Sequence, residues 1–420
     1  MAYRPRVIDQ VLSRLVQDVP AVALVGAKAV GKTESARRLA ATEIDLADPD
    51  RRAVVQADRA AALAAPTPVL IDEWQYDPDT WEAMRSAVDR DPRPGRFLLT
   101  GSVNPRGVRV HSGAGRVVRV RMRPLSLAER GYPSTVSLGE LWHGHAHVAG
   151  ESEAELSAYA SEIVASGFPA IRFAGERARI PLLEGYVESA VEHEAPELGF
   201  TPRRPDSLLQ WLRAYAAASS TTAAYTAIAD AIPEEARASR ATTNAYRDVL
   251  SQLWLLDPVP ALPLGRNRLK ELGRLPKHQV VDPGLVTALL GLDNGSLLGG
   301  RSGRDAGALR DGPLFGTLME SLATLCVRVY ASALDLKVSH IRTARGDHEV
   351  DLVVHAADGR LLAFEVKLGA TPDDRDVRHL NWLADRMGAD LVDRVVLTTG
   401  KSAYRRRDGI AVVPLALLGP

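Results

Sequence analysis

The chain has 420 residues, more than one hydrophobic core usually organises, so two or three domains are expected. Its 52 basic and 52 acidic side chains cancel, which excludes a protein that coats nucleic acid through its global field and leaves a local patch as the electrostatic route. The single cysteine, Cys326, excludes an internal disulfide framework, and neither a signal peptide nor an apolar run long enough for a bilayer stands out, so a cytoplasmic protein without membrane contact is expected.

The first informative stretch is "AVALVGAKAVGKTESARRLAA", an apolar strand over residues 21–25, a glycine-bearing loop and then a helix. Gly26, Gly31, Lys32 and Thr33 fit G-x-x-x-x-G-K-[ST] in the strand–loop–helix context that this P-loop motif requires. Backbone N–H groups over Gly26, Ala27, Lys28, Ala29, Val30, Gly31, Lys32, Thr33 and Glu34 would cradle the phosphates of ATP. Lys32 would reach the β and γ oxygens, and Thr33 would ligate Mg2+.

About forty residues on, "TPVLIDEWQ" reads as a buried parallel strand that ends in adjacent carboxylates. Asp72 would hold the metal and Glu73 would activate the attacking water; the alternative is a pair of helix N-cap residues for "DPDTWEAMRSAVDR". "RFLLTGS" supplies Thr100 or Ser102 as a polar group for the γ-phosphate. In "GAGRVVRVRMRPLSLAER", Arg119, Arg121 and Arg123 share one strand face, and Arg116, which precedes them, is either a transition-state arginine or a solvated one.

The P-loop, "LIDEWQ", "LLTGS" and "GRVVRVRMRPLSLAE", in this order, resemble the AAA-type ATP-binding domain of a bacterial and archaeal family that continues into a C-terminal domain of unknown function 4143. The resemblance spans nearly the whole chain. "SGFPAIR" and "PKHQVVDPGL" are similar to later signatures of that family, with Ser166 in place of a first glycine.

Between these features, residues 134–150 read as a loop whose His143, His145 and His147 alternate without other ligands at metal spacing. Residues 205–256 read as three helices, and "LPLGRNRLKELGRLPKHQVVD" as a basic strand or wing. A winged-helix-like middle would put the third helix, with Arg240, Asn244 and Arg247, into a major groove, whereas plain helix packing is the alternative.

The last third reads as a helix over residues 313–331 with Glu320 among apolar neighbours, three strands, a helix and a strand. This order matches a restriction-endonuclease-like, PD-(D/E)XK core. If "ADG" at residues 357–359 turns the hairpin with Gly359 left-handed, Ala356 pairs with Arg360 and Asp351 lies opposite Glu365. Asp351, Glu365 and Lys367 then share one face, where two carboxylates and Glu320 would hold Mg2+ and Lys367 would assist phosphodiester cleavage. A one-residue slip would separate the acids, and a solvated sheet face is the other reading.

The expected fold is thus α/β and multidomain. A P-loop, AAA-type parallel sheet occupies residues 1–133, a helical connector 134–204, a winged-helix-like region 205–300 and a nuclease-like domain 301–420. The leading function is ATP hydrolysis coupled to DNA binding, through residues 205–280 and the C-terminal domain, or to metal-dependent cleavage. The alternative is a nucleotide-dependent regulatory or protein-interaction switch with an inactive nuclease-like fold, and an arginine donated between subunits would imply a homo-oligomer.

Overall fold

The computed structural model describes residues 3–102, 115–202, 204–264, 274–299, 312–343 and 346–420. Two compact units share the chain: Met1–Arg123 with Ser189–Arg203 and Asn244–Leu255, and Pro124–Glu188 with Arg204–Thr243 and Leu256–Pro420. The cuts therefore differ from contiguous domains, because two later segments return to the first unit.

In the first unit, β1 (Ala21–Val25), β2 (Thr42–Asp45), β3 (Val69–Asp72), β4 (Phe97–Gly101) and β5 (Val117–Arg121) form a parallel sheet in the order β2-β3-β4-β1-β5. The continuous apolar runs of β1, β3 and β4 are buried along their whole length, as strands inside a parallel sheet must be. Helices α1 (Val7–Asp18), α2 (Lys32–Arg37) and α3 (Pro78–Arg90) connect or cover them. Trp74, Trp81, Met84, Phe97 and Leu99 make the core on one side, with the two indoles 4.7 Å apart. Strand β4 stands between β1 and β3, so the polar residues at its C-terminal end face both the P-loop and the Asp72 strand.

The second unit is built on a mixed seven-stranded sheet. Its strands are β7 (Gly150–Glu151), β8 (Lys337–Arg342), β9 (Glu349–His355), β10 (Leu361–Val366), β11 (Leu391–Thr398), β12 (Ser402–Arg405) and β13 (Ala411–Pro414), in the order β7-β12-β13-β11-β10-β9-β8. A separate pair joins β6 (Val136–Ser137) to β14 (Leu418–Gly419). Strands β8, β9 and β10 form an antiparallel meander, and β10, β11 and β13 are parallel. The helices are α4 (Leu138–His143), α5 (Pro205–Ala217), α6 (Tyr225–Asp230), α7 (Pro283–Leu290), α8 (Gly312–Ser332) and α9 (Arg378–Met387). Both α8 and α9 pack on β9 and β10. The succession α8, β8, β9, β10, α9, β11 is the one expected from the sequence.

Three expectations need correction. Residues 134–150 are not a loop: Ser137 accepts from the Glu140 N–H and caps α4, with Leu138, Leu141 and Trp142 buried beneath, although His143, His145 and His147 are exposed. The stretch Leu314–Ser332 does meet the length and hydropathy of a membrane span, and 72% of that window is buried, its apolar surface serving the core. Helices occupy 205–217, 225–230 and 240–252, but the last is divided at Asn244 between the two units. Arg240 and Asn244 are exposed and Arg247 is half-buried. Part of the proposed wing, residues 265–273, lies outside the described residues. Beside it, isolated bridges join Leu256 to Val280 and Val259 to Lys277, and Lys277 and His278 are buried at 1% and 0% exposure rather than turned toward a phosphate backbone.

Candidate functional site

The loop after β1 takes its shape from backbone conformations that few residues adopt. Gly26 has φ +150°, Ala29 +62° and Gly31 +99°, and a Cβ at Gly26 would lie 2.3 Å from the Met122 carbonyl oxygen. Beneath this turn, Lys32 is 4% exposed and donates to the Gly26 and Ala27 carbonyls at 3.0 and 2.9 Å and to Ser102 Oγ at 3.1 Å. Burial lowers its pKa to about 8, against the opposing pull of Glu73 and Asp72.

Thr33 Oγ1 donates to Asp72 Oδ1 at 2.9 Å, and Thr100 Oγ1 donates to the same oxygen. Asp72 is only 7% exposed, and burial raises its pKa despite these hydroxyls. A desolvated carboxylate satisfied by hydroxyl donors, beside the P-loop threonine, fits a hard cation, so Thr33 and Asp72 are the residues that would hold Mg2+. Thr100 is fully buried and committed to Asp72, whereas Ser102 touches both Lys32 and, at 3.5 Å, Glu73 Oε1. Of the two candidates for sensing the γ-phosphate, the geometry therefore prefers Ser102 to Thr100. Glu73, just past the strand, has a left-handed φ of +50°, and Gln75 Nε2 donates to its Oε2.

Arg116 needs a correction. It sits just before Val117, the partner of Ala21 at the start of β1, so it lies at the end of the sheet remote from the P-loop, about 15 Å away along the strand. Its guanidinium pairs with Asp89 of α3. That placement sets Arg116 apart from this chain's own phosphate site and agrees with the plain reading of a partly exposed arginine held in a surface ion pair. Conversely, sequence reasoning missed Glu194. It lies in a π-helical turn, Ala190–Glu194, and its carboxylate is 3.6 Å from Lys28 Nζ of the P-loop. Burial raises its pKa. Arg121 lies over the Trp254 ring at 4.7 Å, another contact made by a returning segment.

In the second unit the hairpin pairs His355 with Leu361, Val354 with Leu362, Val353 with Ala363 and Leu352 with Phe364, and Gly359 has φ +92°. Asp351 Oδ2 accepts from the Val366 N–H at 2.9 Å, which sets Asp351 beside Glu365. Lys367 Nζ is 3.1 Å from Glu365 Oε2. This face is not solvated: Glu365 is 3% exposed, and burial, with Asp351 adding to it, pushes its carboxyl well above the ordinary range. Buried residues such as Val353 and Ala363 on the same face join the α9 cluster with Leu380 and Leu383.

The residue that sequence analysis placed elsewhere is Lys277. Its ammonium is 2.8 Å from Glu320 Oε1, 3.1 Å from Asp351 Oδ1 and 3.3 Å from Glu349 Oε1. Burial opposes its charge, yet Glu320, Asp351 and Glu349 together raise its pKa. Burial pushes Glu320 up to about 8, whereas Asp351, desolvated too, is drawn below its usual value by Lys277 and the Val366 N–H. A divalent ion at this place would need carboxylates free to share it. Glu320 and Asp351 are tied to Lys277, Glu365 is tied to Lys367, and among the described residues no group of three His, Cys, Asp or Glu is arranged to hold a metal. The arrangement does not fit the Mg2+ shell of Glu320, Asp351 and Glu365, because protein ammonium groups already neutralise it.

The two later signatures meet at one carboxylate. Asp282 is fully buried; its Oδ1 accepts from Ser166 Oγ and Gly284 N, and its Oδ2 accepts from Gly167 N, each at 2.8 Å. A Cβ at Gly167 would lie 2.8 Å from the Leu125 carbonyl oxygen, and one at Gly284 would lie 2.7 Å from Ser166 Cβ, so both positions require glycine.

Residues 18–130 match an AAA domain, residues 156–296 a domain of unknown function (DUF8612) and residues 315–418 a domain of unknown function (DUF4143). The uncharacterized proteins Mb2031c of Mycobacterium bovis and Rv2008c of Mycobacterium tuberculosis are each 26% identical over 415 residues, covering 96% of this chain and 82% of theirs. The Walker-type ATPase PABY2304 of Pyrococcus abyssi aligns over 69% of this chain and 99% of its own, at 16% identity and a TM-score of 0.41. With the P-loop, Asp72 and Glu73 lying within residues 18–130, the chain carries an AAA domain over those residues and a DUF4143 domain over residues 315–418.

Proposed function

We propose that the protein binds ATP with Mg2+ over Gly26–Glu34 and hydrolyses it, Lys32 holding the phosphates, Thr33 and Asp72 the metal, Glu73 the attacking water and Ser102 the γ-phosphate. The observation that carries this reading is the 2.9 Å bond from Thr33 to Asp72, which joins the two halves of the site above a buried Lys32. The bound ion would supply charge neutralisation at the phosphate oxygens. The chain's own part is to orient the nucleotide and, through Glu73, to take a proton from water. Phosphate release by the full-length protein tests it: Lys32→Ala should lower turnover at least about 100-fold, and Glu73→Gln should abolish turnover while ATP still binds. Retained turnover in Lys32→Ala would remove the assignment.

For the C-terminal unit the order α8, β8, β9, β10, α9, β11 supports a restriction-endonuclease-like core. One role for it is DNA binding or cleavage, with contacts from residues 205–280; the other is a nucleotide-dependent switch that keeps the fold without its chemistry. The neutralised carboxylates favour the switch. Incubation with supercoiled DNA and Mg2+ or Mn2+, with and without ATP, should leave the DNA intact. Nicking that is lost in Glu365→Ala would establish the nuclease instead, and DNA affinity that falls steeply with salt would support contact through the middle region.

A further inference from the structure

Lys277 is placed by its backbone as firmly as by its side chain. Val259 and Lys277 exchange both N–H···O bonds, at 2.8 and 2.9 Å, and the Asp257 N–H donates to the Gln279 carbonyl at 2.8 Å. From this short ladder the side chain reaches three carboxylates on two other elements, Glu320 of α8 and Glu349 and Asp351 of β9. The ammonium, which has donors and no acceptor, donates to Glu320 Oε1 and Asp351 Oδ1, and Glu349 adds an ion pair at 3.3 Å. At 1% exposure it has no water to fall back on, and the three acids come from elements that would repel one another without it. Beside Asp351, Glu365 Oε1 is buried without a hydrogen-bond partner while its other oxygen is held by Lys367. The cluster is therefore a cation site by construction, and a lysine fills it.

We propose that Lys277 is the resident cation of this cluster, a tethered ammonium standing in for a divalent ion, so that the C-terminal unit holds its fold and its carboxylates without metal. The proposal rests on the switch reading and deepens it by naming what replaces the ion. It also gives residues 274–282 a role: they bring the charge to the sheet, and a few residues later Asp282 bonds Ser166 and Gly167.

The test is Mn2+ binding to the nucleotide-free, full-length protein, followed by the loss of the free-ion electron paramagnetic resonance signal, in an Asp72→Asn background that removes the nucleotide site's ligand. With Lys277 present, no equivalent should bind at about 0.1 mM Mn2+. Lys277→Met should bind one equivalent, and adding Glu320→Gln should abolish that binding. An equivalent bound with Lys277 intact and lost in Asp351→Asn would overturn the proposal, as would a folded Lys277→Met that binds none. Should Lys277→Met fail to fold, the melting curve of the Asp72→Asn protein with Lys277 intact decides: chelator and Mn2+ should leave it unmoved, and a fall of several degrees with chelator would sink the idea. Mn2+ binding without DNA nicking would defeat this assignment alone, whereas nicking would defeat the switch reading beneath it.

Discussion

Gly26 shows how little room the nucleotide loop leaves at the scale of one residue. Its φ of +150° and the 2.3 Å that would separate an added Cβ from the Met122 carbonyl oxygen mean that Gly26→Ala must displace either the loop or the strand end beside it. The expected result is a loss of about 1–3 kcal/mol in unfolding free energy and at least about a tenfold loss in ATP affinity, read by denaturant titration and by a fluorescent nucleotide. Unchanged affinity would mean that the loop does not cradle phosphate. Glycine, lysine and threonine at fixed spacing made this site legible in the sequence, because the constraints are local. Glu194 and Lys277 were not legible for the opposite reason. Their partners lie far away in the chain, Lys28 for one and Glu320, Glu349 and Asp351 for the other, and no periodicity records such a pairing.

At the scale of elements, the hairpin of β9 and β10 was readable because alternation, a turn glycine and a period of two leave one register open. What alternation could not say was that both faces are covered, since α8 and α9 are separate elements whose packing the hairpin does not encode. The stretch at residues 134–150 misleads through its small and polar composition, although Ser137 is an N-cap and three apolar residues beyond it are buried. The helices of the middle region announce themselves by amphipathicity, yet an apolar stripe says only that something covers it. Asp282 is an element-level joint, tying the start of α7 to residues 166 and 167. Asp282→Ala would leave two N–H groups and a hydroxyl without acceptors in the interior and should cost about 2–5 kcal/mol, a fall in Tm of several degrees in scanning calorimetry. A fall within error would show that water or a shifted backbone replaces the carboxylate.

For the molecule as a whole, buried imidazoles couple stability to pH. His340 is 1% exposed, and its pKa is lowered from 6.5 to about 4 by burial first, then by Lys277 and Arg342, against the Leu275 carbonyl and Asp351. A depressed imidazole stays neutral in the fold while the unfolded chain takes up a proton, so its stabilising share is complete above pH 6.5 and is lost as pH falls toward 4. The difference between wild type and His340→Asn in urea titrations should therefore shrink by roughly 3 kcal/mol from about pH 7 to about pH 4. A difference independent of pH would mean that the imidazole is protonated, or exposed, in the folded protein. Glu320 acts in the other direction, its raised pKa favouring lower pH, which is why the variant difference and not the raw curve carries the prediction.

The division of the chain into interleaved segments also bears on how it is made. The unit that holds the P-loop closes with Asn244–Leu255, which leaves the ribosome more than a hundred residues after Arg123. At ordinary elongation rates the nascent P-loop sheet waits on the order of ten seconds for its last segment, with Arg121 and Lys28 lacking Trp254 and Glu194 meanwhile. A truncated gene ending near residue 133 would freeze the polypeptide in that waiting state, so expression trials of the nucleotide-binding part should retain the chain through Leu255.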